Sequence, residues 1–170
     1  LTRSSAASDV YKRQTGTNSV FDSLTVPSLE MDRTHPGTVN DITVTADLRI
    51  GDLGASGAPT DVIEFTNADV GGKFWVDGCD ANVKLSDSSV GQADSICISA
   101  VGSSAFEMVN SNIVHNSGNS AIYLKQTTGV FVNVVVTSST VTPSGPYVAF
   151  ADLASDTFLI DVDYVDSTGT

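Results

Sequence analysis

The feature that most constrains this chain is an internal repeat of short apolar alternations in its C-terminal half. Ile96, Ile122 and Val148 are evenly spaced along the chain, and each is followed two positions later by another apolar residue. Repeats of about 20 to 50 residues are typical of solenoids, propellers and arrays, in which each unit buries its apolar face only against its neighbours. The repeat therefore limits the architecture before any single residue is considered.

Within each repeat the apolar residues alternate at every second position, which is the spacing of β-strands and not of helices. Gly, Ser, Asn, Asp and Thr separate these segments, as expected for turns. The columns that we infer are Ile63/Ile96/Ile122/Val148, Phe65/Ile98/Leu124/Phe150, Phe74/Phe106/Val132/Phe158 and Val76/Met108/Val134/Ile160, with one insertion after the first member of each. Stacking of like residues in columns predicts an all-β parallel β-helix, and an antiparallel β-sandwich is the alternative.

This pattern resembles the right-handed parallel β-helix superfamily, which includes pectate lyases, polygalacturonases, phage tailspikes and surface adhesins. The resemblance covers residues 39–170 and predicts a solenoid of about four coils, truncated at both ends. It also implies that a ligand would lie along the outward face of one parallel sheet. The segment FWVDGCD is similar to a pectate lyase motif, but Gly78 stands where that family has a histidine.

Three segments are expected along the chain. Residues 4–14, SSAASDVYKRQ, resemble the translation of a transposase adapter used in preparing sequencing libraries, so we expect residues 1–14 not to be native. Residues 15–37 are polar with isolated apolar residues and two prolines, and we expect an irregular lead-in there. Residues 38–170 are expected to form the β-helix fragment.

The chain is strongly acidic, with a formal net charge of −12 at pH 7. A negative field repels phosphate backbones, so we expect no nucleic acid partner. No apolar run is long enough to span a membrane. The spacing between Cys79 and Cys97 does not match the interval of the repeat, and their redox state stays open.

If the inferred columns point inward, alternation fixes which residues face solvent. Glu64 and Lys125 are the charged residues expected on the outward face of the first strand column, two coils apart. A glycosidase needs two nearby carboxylates and a calcium site needs several oxygen ligands, so we predict no catalytic and no metal-binding residues and no cofactor. The candidate binding residues are the exposed aromatic and long side chains Tyr123, Lys125, Tyr147, Glu64 and Trp75.

These observations favour a non-catalytic fragment of a secreted or surface-displayed protein that acts as an adhesin-like scaffold. Its expected partner is a polysaccharide or a host-surface protein, and its expected location is extracellular or on the cell surface. The alternative is a piece of a polysaccharide lyase, a glycoside hydrolase or a phage tailspike whose catalytic coils lie elsewhere, which leaves enzymatic activity open.

Overall fold

A computed structural model describes eleven segments of the chain. They are residues 12–16, 20–34, 37–51, 62–77, 82–92, 98–101, 105–115, 120–125, 127–138, 148–150 and 157–165. The described segments contain strands, bends and short connections, and none of them is helical. The all-β prediction is therefore confirmed for this part of the chain.

Fifteen strands make up the described structure. They are β1 (Lys12–Gly16), β2 (Val20–Val26), β3 (Leu29–Thr34), β4 (Thr38–Val44), β5 (Leu48–Gly51), β6 (Val62–Val70), β7 (Phe74–Asp77), β8 (Asn82–Ser86), β9 (Ser89–Gln92), β10 (Ile98–Val101), β11 (Ala105–His115), β12 (Ile122–Lys125), β13 (Thr128–Ser138), β14 (Val148–Phe150) and β15 (Thr157–Val165).

The strands form two parallel sheets that the chain visits in turn. Sheet A has seven strands in the order β1-β3-β5-β7-β10-β12-β14. Sheet B has eight strands, with the order β2-β4-β6-β8-β11-β13-β15 and with β9 pairing with β6 and β11. Every described strand pair is parallel and joins strands from successive passes of the chain, so the fold is a parallel β-solenoid. No helix of the described residues is long and apolar enough to cross a membrane.

The parallel pairing begins upstream of the residues where the repeat is visible in the sequence. β2 and β3 lie within residues 15–37 and pair with β4 and β5, so regular strands stand where an irregular lead-in was expected. The segment looks polar because polar residues alternate with the inward ones, of which Leu29 and Met31 are buried. β1 begins at Lys12, inside the segment predicted to be adapter-derived, and pairs with β3.

The structure confirms part of the predicted register and corrects the rest. Ile122 pairs with Val148, as predicted. Ile98 pairs with Ile122 and not with Leu124, a shift of two positions. In sheet B, Phe106 pairs with Gly129 and not with Val132. The length of a pass therefore varies along the solenoid, and a single constant interval misplaces some columns.

In the upstream repeat, the predicted columns also assign residues to the wrong one of the two sheets. Phe65 lies in sheet B and pairs with Leu85, whereas Phe74 lies in sheet A and pairs with Ile98. The cause is the segment 82–92, which forms β8 and β9 and is a complete passage through sheet B. The sequence-based columns treat this passage as a simple insertion between two repeats.

Each passage through sheet B bends at one residue in the left-handed backbone region. The φ angles there lie between 48° and 54°. The residues are Ser23, Asp41, Asn67, Asp87, Asn110, Asn133 and Asp161. Asn and Asp tolerate this conformation better than other residues with a Cβ atom. The bend also shifts the alternation, because Phe65 and Ala68 are both buried although three positions separate them.

Two side-chain hydrogen bonds connect these bends from one pass to the next. Asn67 Nδ2 donates to Asp41 Oδ1 at 2.9 Å, and Asn133 Nδ2 donates to Asn110 Oδ1 at 3.0 Å. We call this column of seven bend residues the corner ladder. In both bonds the later pass donates to the earlier one, so the ladder has a direction.

Next to the corner ladder, buried serine hydroxyls serve as hydrogen-bond partners of backbone amides and carbonyls. Ser88 Oγ accepts from the Ala68 amide at 3.0 Å and donates to the Ser86 carbonyl at 2.6 Å. Ser111 Oγ accepts from the Ser88 amide at 3.0 Å and donates to the Val109 carbonyl at 2.7 Å. Because a buried amide without an acceptor is costly, these serines satisfy groups that the bend takes out of the backbone ladder.

The core between the sheets is apolar and contains a stack of aromatic rings. Phe65, Phe74, Phe106 and Phe131 are fully buried, and successive ring centroids are 5.4, 5.9 and 5.9 Å apart. Aromatic pairs at such distances contribute about 0.5–1.5 kcal/mol beyond their buried area. The stack includes residues of both sheets and so ties the two walls of the solenoid together.

Candidate functional site

The outward face of sheet A brings several of the candidate residues together. One outward column, read from the strand register, contains Glu30, Arg49, Trp75 and Tyr123, and strand β10 lies between the last two. Neighbouring strands of the sheet are about 4.8 Å apart. Trp75 and Tyr123 are therefore about 10 Å apart along the stacking direction.

Trp75 is the centre of the most developed side-chain cluster on this face. Its side chain is outward, and 38% of the residue surface is exposed. The Arg49 guanidinium carbon lies 5.5 Å from the centre of the Trp75 ring, and the Lys73 ammonium lies 5.1 Å from it. Both distances fit cation–π contacts, which contribute about 0.5–1 kcal/mol each at exposed sites.

Two carboxylates hold the Arg49 side chain across the strands. Arg49 Nη1 lies 3.1 Å from Glu30 Oε1, and Nη2 lies 3.8 Å from Asp77 Oδ2. Exposed ion pairs contribute about 0–1 kcal/mol to stability, so their main effect here is to fix the guanidinium beside the indole. The cluster then presents an aromatic ring with a pre-positioned donor at its edge.

The position of Lys73 is fixed by a stack of turns that connect sheet B to sheet A. The turn at residues 71–73 packs directly on the turn at residues 45–47, and the amides of Gly71 and Gly72 donate to the Val44 and Ala46 carbonyls at 2.7 and 2.9 Å. Asp47 Oδ1 accepts from the Lys73 amide at 2.8 Å.

This turn stack leaves no room for a side chain at Gly71. A Cβ at Gly71 would lie 2.5 Å from the Thr45 carbonyl oxygen, well inside van der Waals contact. By contrast, the nearest atom to a Cβ at Gly91 would be 3.6 Å away. The close packing at Gly71 therefore fixes where β7 begins and where Lys73 and Trp75 lie.

Tyr123 and Lys125 lie on β12 and face the same side of sheet A. Tyr123 is half-buried and Lys125 is exposed. Both are separated from β7 by β10 alone. Tyr147 lies outside the described residues. The structure thus brings Trp75, Tyr123 and Lys125 onto one face.

Glu64 does not belong to this face, which corrects its predicted position on the same sheet as Lys125, two coils away. It lies on β6 in sheet B, where its Oε1 is 3.5 Å from Lys84 Nζ. Glu107 follows Lys84 in the same column, and the three residues line a groove of about 440 Å³. Glu64 and Lys125 are on different walls of the solenoid because the intervening β8–β9 passage shifts the sheet assignment.

Sequence reasoning missed Arg49 and Lys73, although a signal for both was present. The interval from Arg49 to Trp75 is the same as the interval from Ile96 to Ile122. Lys73 and Trp75 have the alternation of two residues on one face of an extended chain. Extending the repeat upstream by its own interval would have aligned Arg49 with Trp75.

The described residues contain no group of three or more His, Cys, Asp or Glu side chains placed to hold a metal ion. His115 is the last residue of β11 and is fully buried. Cys79 and Cys97 lie outside the described residues.

Similarity to known proteins was sought at three levels. Comparisons of the chain with protein-family models, with curated proteins and with solved structures gave no match.

Proposed function

We propose that the outward face of sheet A binds a polysaccharide and that the chain is a non-catalytic, rigid scaffold. The observation that carries this proposal is the exposed indole of Trp75 with Arg49 and Lys73 fixed beside it. We further propose an extracellular or cell-surface location, because polysaccharides are common there.

The chemistry of the cluster suits a sugar ring. A flat exposed indole offers apolar area for the C–H face of a pyranose, and its cost in conformational entropy is small because it has only two rotatable bonds. The guanidinium and ammonium groups supply hydrogen-bond donors to hydroxyl and carboxylate oxygens at the ring edge. Ligand sites generally combine an apolar surface with a few fixed polar groups in this way.

The arrangement along the solenoid favours an extended polymer over a single sugar. Trp75 and Tyr123 lie in one outward column about 10 Å apart, with Lys125 beside Tyr123. A chain that crosses the strands along the stacking direction would meet the indole first and the phenol two strands later. Rigid backbone pairing keeps the two aromatic side chains at a constant separation and so reduces the entropy lost on binding.

Binding can be tested by affinity electrophoresis through gels that contain xylan, pectin or alginate. We expect retardation of the wild-type chain by at least one polymer, near-complete loss for Trp75→Ala, and partial loss for Tyr123→Ala. Glu64→Gln is the matched control, because it removes an exposed charge from sheet B and should leave retardation unchanged. Migration of the wild type as in a polymer-free gel would contradict the proposal.

The non-catalytic part of the proposal has a separate test. After incubation with the same polymers, reducing ends and the absorbance of unsaturated products should not exceed the buffer value. Product formation that disappears in the Glu64→Gln variant would assign activity to the groove on sheet B and would replace this proposal.

A further inference from the structure

The charged groups around Trp75 compensate one another. Among the described residues, the Trp75 cluster and the adjoining turn stack contain two cationic and three anionic side chains, namely Arg49, Lys73, Glu30, Asp47 and Asp77. Two positive against three negative groups give a formal charge of −1. Lys125 lies two strands away on the same face and adds one positive charge. The described part of this face therefore carries no excess of positive charge that would favour an anionic ligand.

The compensation of Arg49 is also a matter of geometry. Its Nη1 lies 3.1 Å from Glu30 Oε1, and its Nη2 lies 3.8 Å from Asp77 Oδ2. A carboxylate of a ligand would have to approach the guanidinium beside two groups of its own charge, which is unfavourable. A hydroxyl can instead accept from the guanidinium and donate to Glu30 or Asp77. The polar groups beside the indole are therefore matched to an uncharged ligand that is rich in hydroxyls.

The field of the whole chain acts in the same direction. The formal net charge is −12, so a polyanion is repelled before it reaches the face. Salt screens this repulsion, because charges separated by more than a Debye length of about 10 Å at 0.1 M interact only weakly. An uncharged polymer approaches the face without that penalty at any salt concentration.

The spacing of the aromatic side chains adds a condition on the linkage. Neighbouring strands are about 4.8 Å apart, which is close to the length of one pyranose in an extended β-1,4-linked chain. A chain that follows the stacking direction would place one sugar over each of β7, β10 and β12. Successive rings of a flat β-1,4-linked chain turn over, so every second ring presents the same face. Trp75 and Tyr123, two strands apart, would contact the same face of a sugar and of the next but one.

We propose that the outward face of sheet A selects an uncharged β-1,4-linked polysaccharide of the glucan type and discriminates against polyuronates. This inference rests on the proposed polysaccharide-binding face and names the class of polymer that it takes. In a β-1,4-glucan all ring substituents are equatorial, so both faces of each sugar expose C–H groups to an aromatic ring. An α-1,4-linked chain coils and does not hold alternate rings over Trp75 and Tyr123.

The charge of the ligand can be tested with two hexasaccharides that differ only in the group at C6. Isothermal titration calorimetry of the full chain compares cellohexaose with the hexamer of β-1,4-glucuronan. We expect the glucuronan hexamer to bind at least about tenfold more weakly at about 0.05 M NaCl, with a smaller difference at about 0.5 M. Equal or tighter binding of the glucuronan hexamer would overturn this inference and leave polysaccharide binding intact. If neither hexamer binds and no polymer retards the chain in the gels, both proposals are wrong.

The linkage and the spacing have their own comparison. Maltohexaose contains the same sugar as cellohexaose in α-1,4 linkage, and we expect it to bind at least about tenfold more weakly. Affinity should also rise from cellobiose to cellotetraose, because a disaccharide cannot reach both aromatic side chains. Tyr123→Ala should abolish this rise. Equal binding of the two hexasaccharides, or a rise that persists in Tyr123→Ala, would contradict the proposed path along the strands.

A pair of variants tests whether local compensation sets the preference. Asp77→Asn removes one of the two carboxylates beside Arg49 and should narrow the difference between cellohexaose and the glucuronan hexamer about two- to fivefold, as expected for one exposed ion pair. Asp69→Asn removes the same charge from β6 on sheet B and should leave the difference unchanged. Equal narrowing in both variants would assign the preference to the overall charge and would contradict the role of the Trp75 cluster.

Discussion

Replacing Asp87 by asparagine should stabilise the solenoid, because the corner ladder is interrupted at that residue. Asp87 shares the left-handed backbone of its neighbours in the column, with φ of 51°. Within the described part of the chain its carboxylate makes no hydrogen bond to Asn67 or Asn110, although both have the same backbone conformation one pass away. A carboxylate can only accept, so it cannot donate to the amide oxygen of Asn67.

The size of the effect follows from the one hydrogen bond that an amide would add. An amide at position 87 can donate to Asn67 Oδ1, in the direction that the rest of the ladder follows, whereas either side chain can accept from Asn110 Nδ2. One such bond contributes about 0.5–1.5 kcal/mol, and partial exposure places it near the lower end. We expect a net gain of about 0.5 kcal/mol, which corresponds to a rise in Tm of about 1–2 °C for a chain of this size.

Thermal unfolding followed by circular dichroism at 218 nm, a wavelength typical of β-structure, measures this change. Asp69→Asn is the matched control, because Asp69 lines the same surface depression as Asp87 but lies outside the ladder. Both variants remove one negative charge, so the difference between them isolates the ladder from general relief of repulsion. A Tm for Asp87→Asn no higher than that of Asp69→Asn would refute the reasoning.

Three further substitutions test other parts of the fold by chemical denaturation. Ser88→Ala leaves the buried Ala68 amide without its acceptor and should cost about 1–3 kcal/mol. An unchanged unfolding midpoint would mean that another group takes over. Gly71→Ala forces a Cβ into the neighbouring turn and should cost about 1–3 kcal/mol, whereas Gly91→Ala meets only ordinary contacts. Equal midpoints would contradict the assigned turn stack. Phe106→Ala removes the central ring contact of the aromatic stack and should cost about 3–5 kcal/mol. A loss below about 1 kcal/mol would place this ring outside the core.

The candidate binding face was only partly predictable from sequence. Alternation identified Trp75, Tyr123 and Lys125 as outward, and the structure places all three on sheet A. The association of Glu64 with them was wrong, because the number of passes between two residues decides which wall they occupy. An alternation pattern contains no information about that number when one passage, here β8–β9, is short and polar.

The corner ladder shows a second limit of sequence reasoning. Asn and Asp at the bends look like ordinary turn residues in the sequence, since both are common in turns. Their role depends on a backbone conformation that places them one above another in successive passes. Asn110 and Asn133 become hydrogen-bonded neighbours only after both passes are folded.

The sequence by itself determined the all-β class, the parallel stacking and the alternation of inward and outward residues. The all-β class and the alternation follow from the period of two residues within each segment. The parallel stacking follows from similar residues that recur at one interval along the chain. Only the tertiary structure decided the register between passes, because a left-handed bend inserts one residue out of phase and passes differ in length. Register in turn brings Arg49 and Lys73 against Trp75 and separates Glu64 from them, so the candidate site is a product of stacking and not of any single segment.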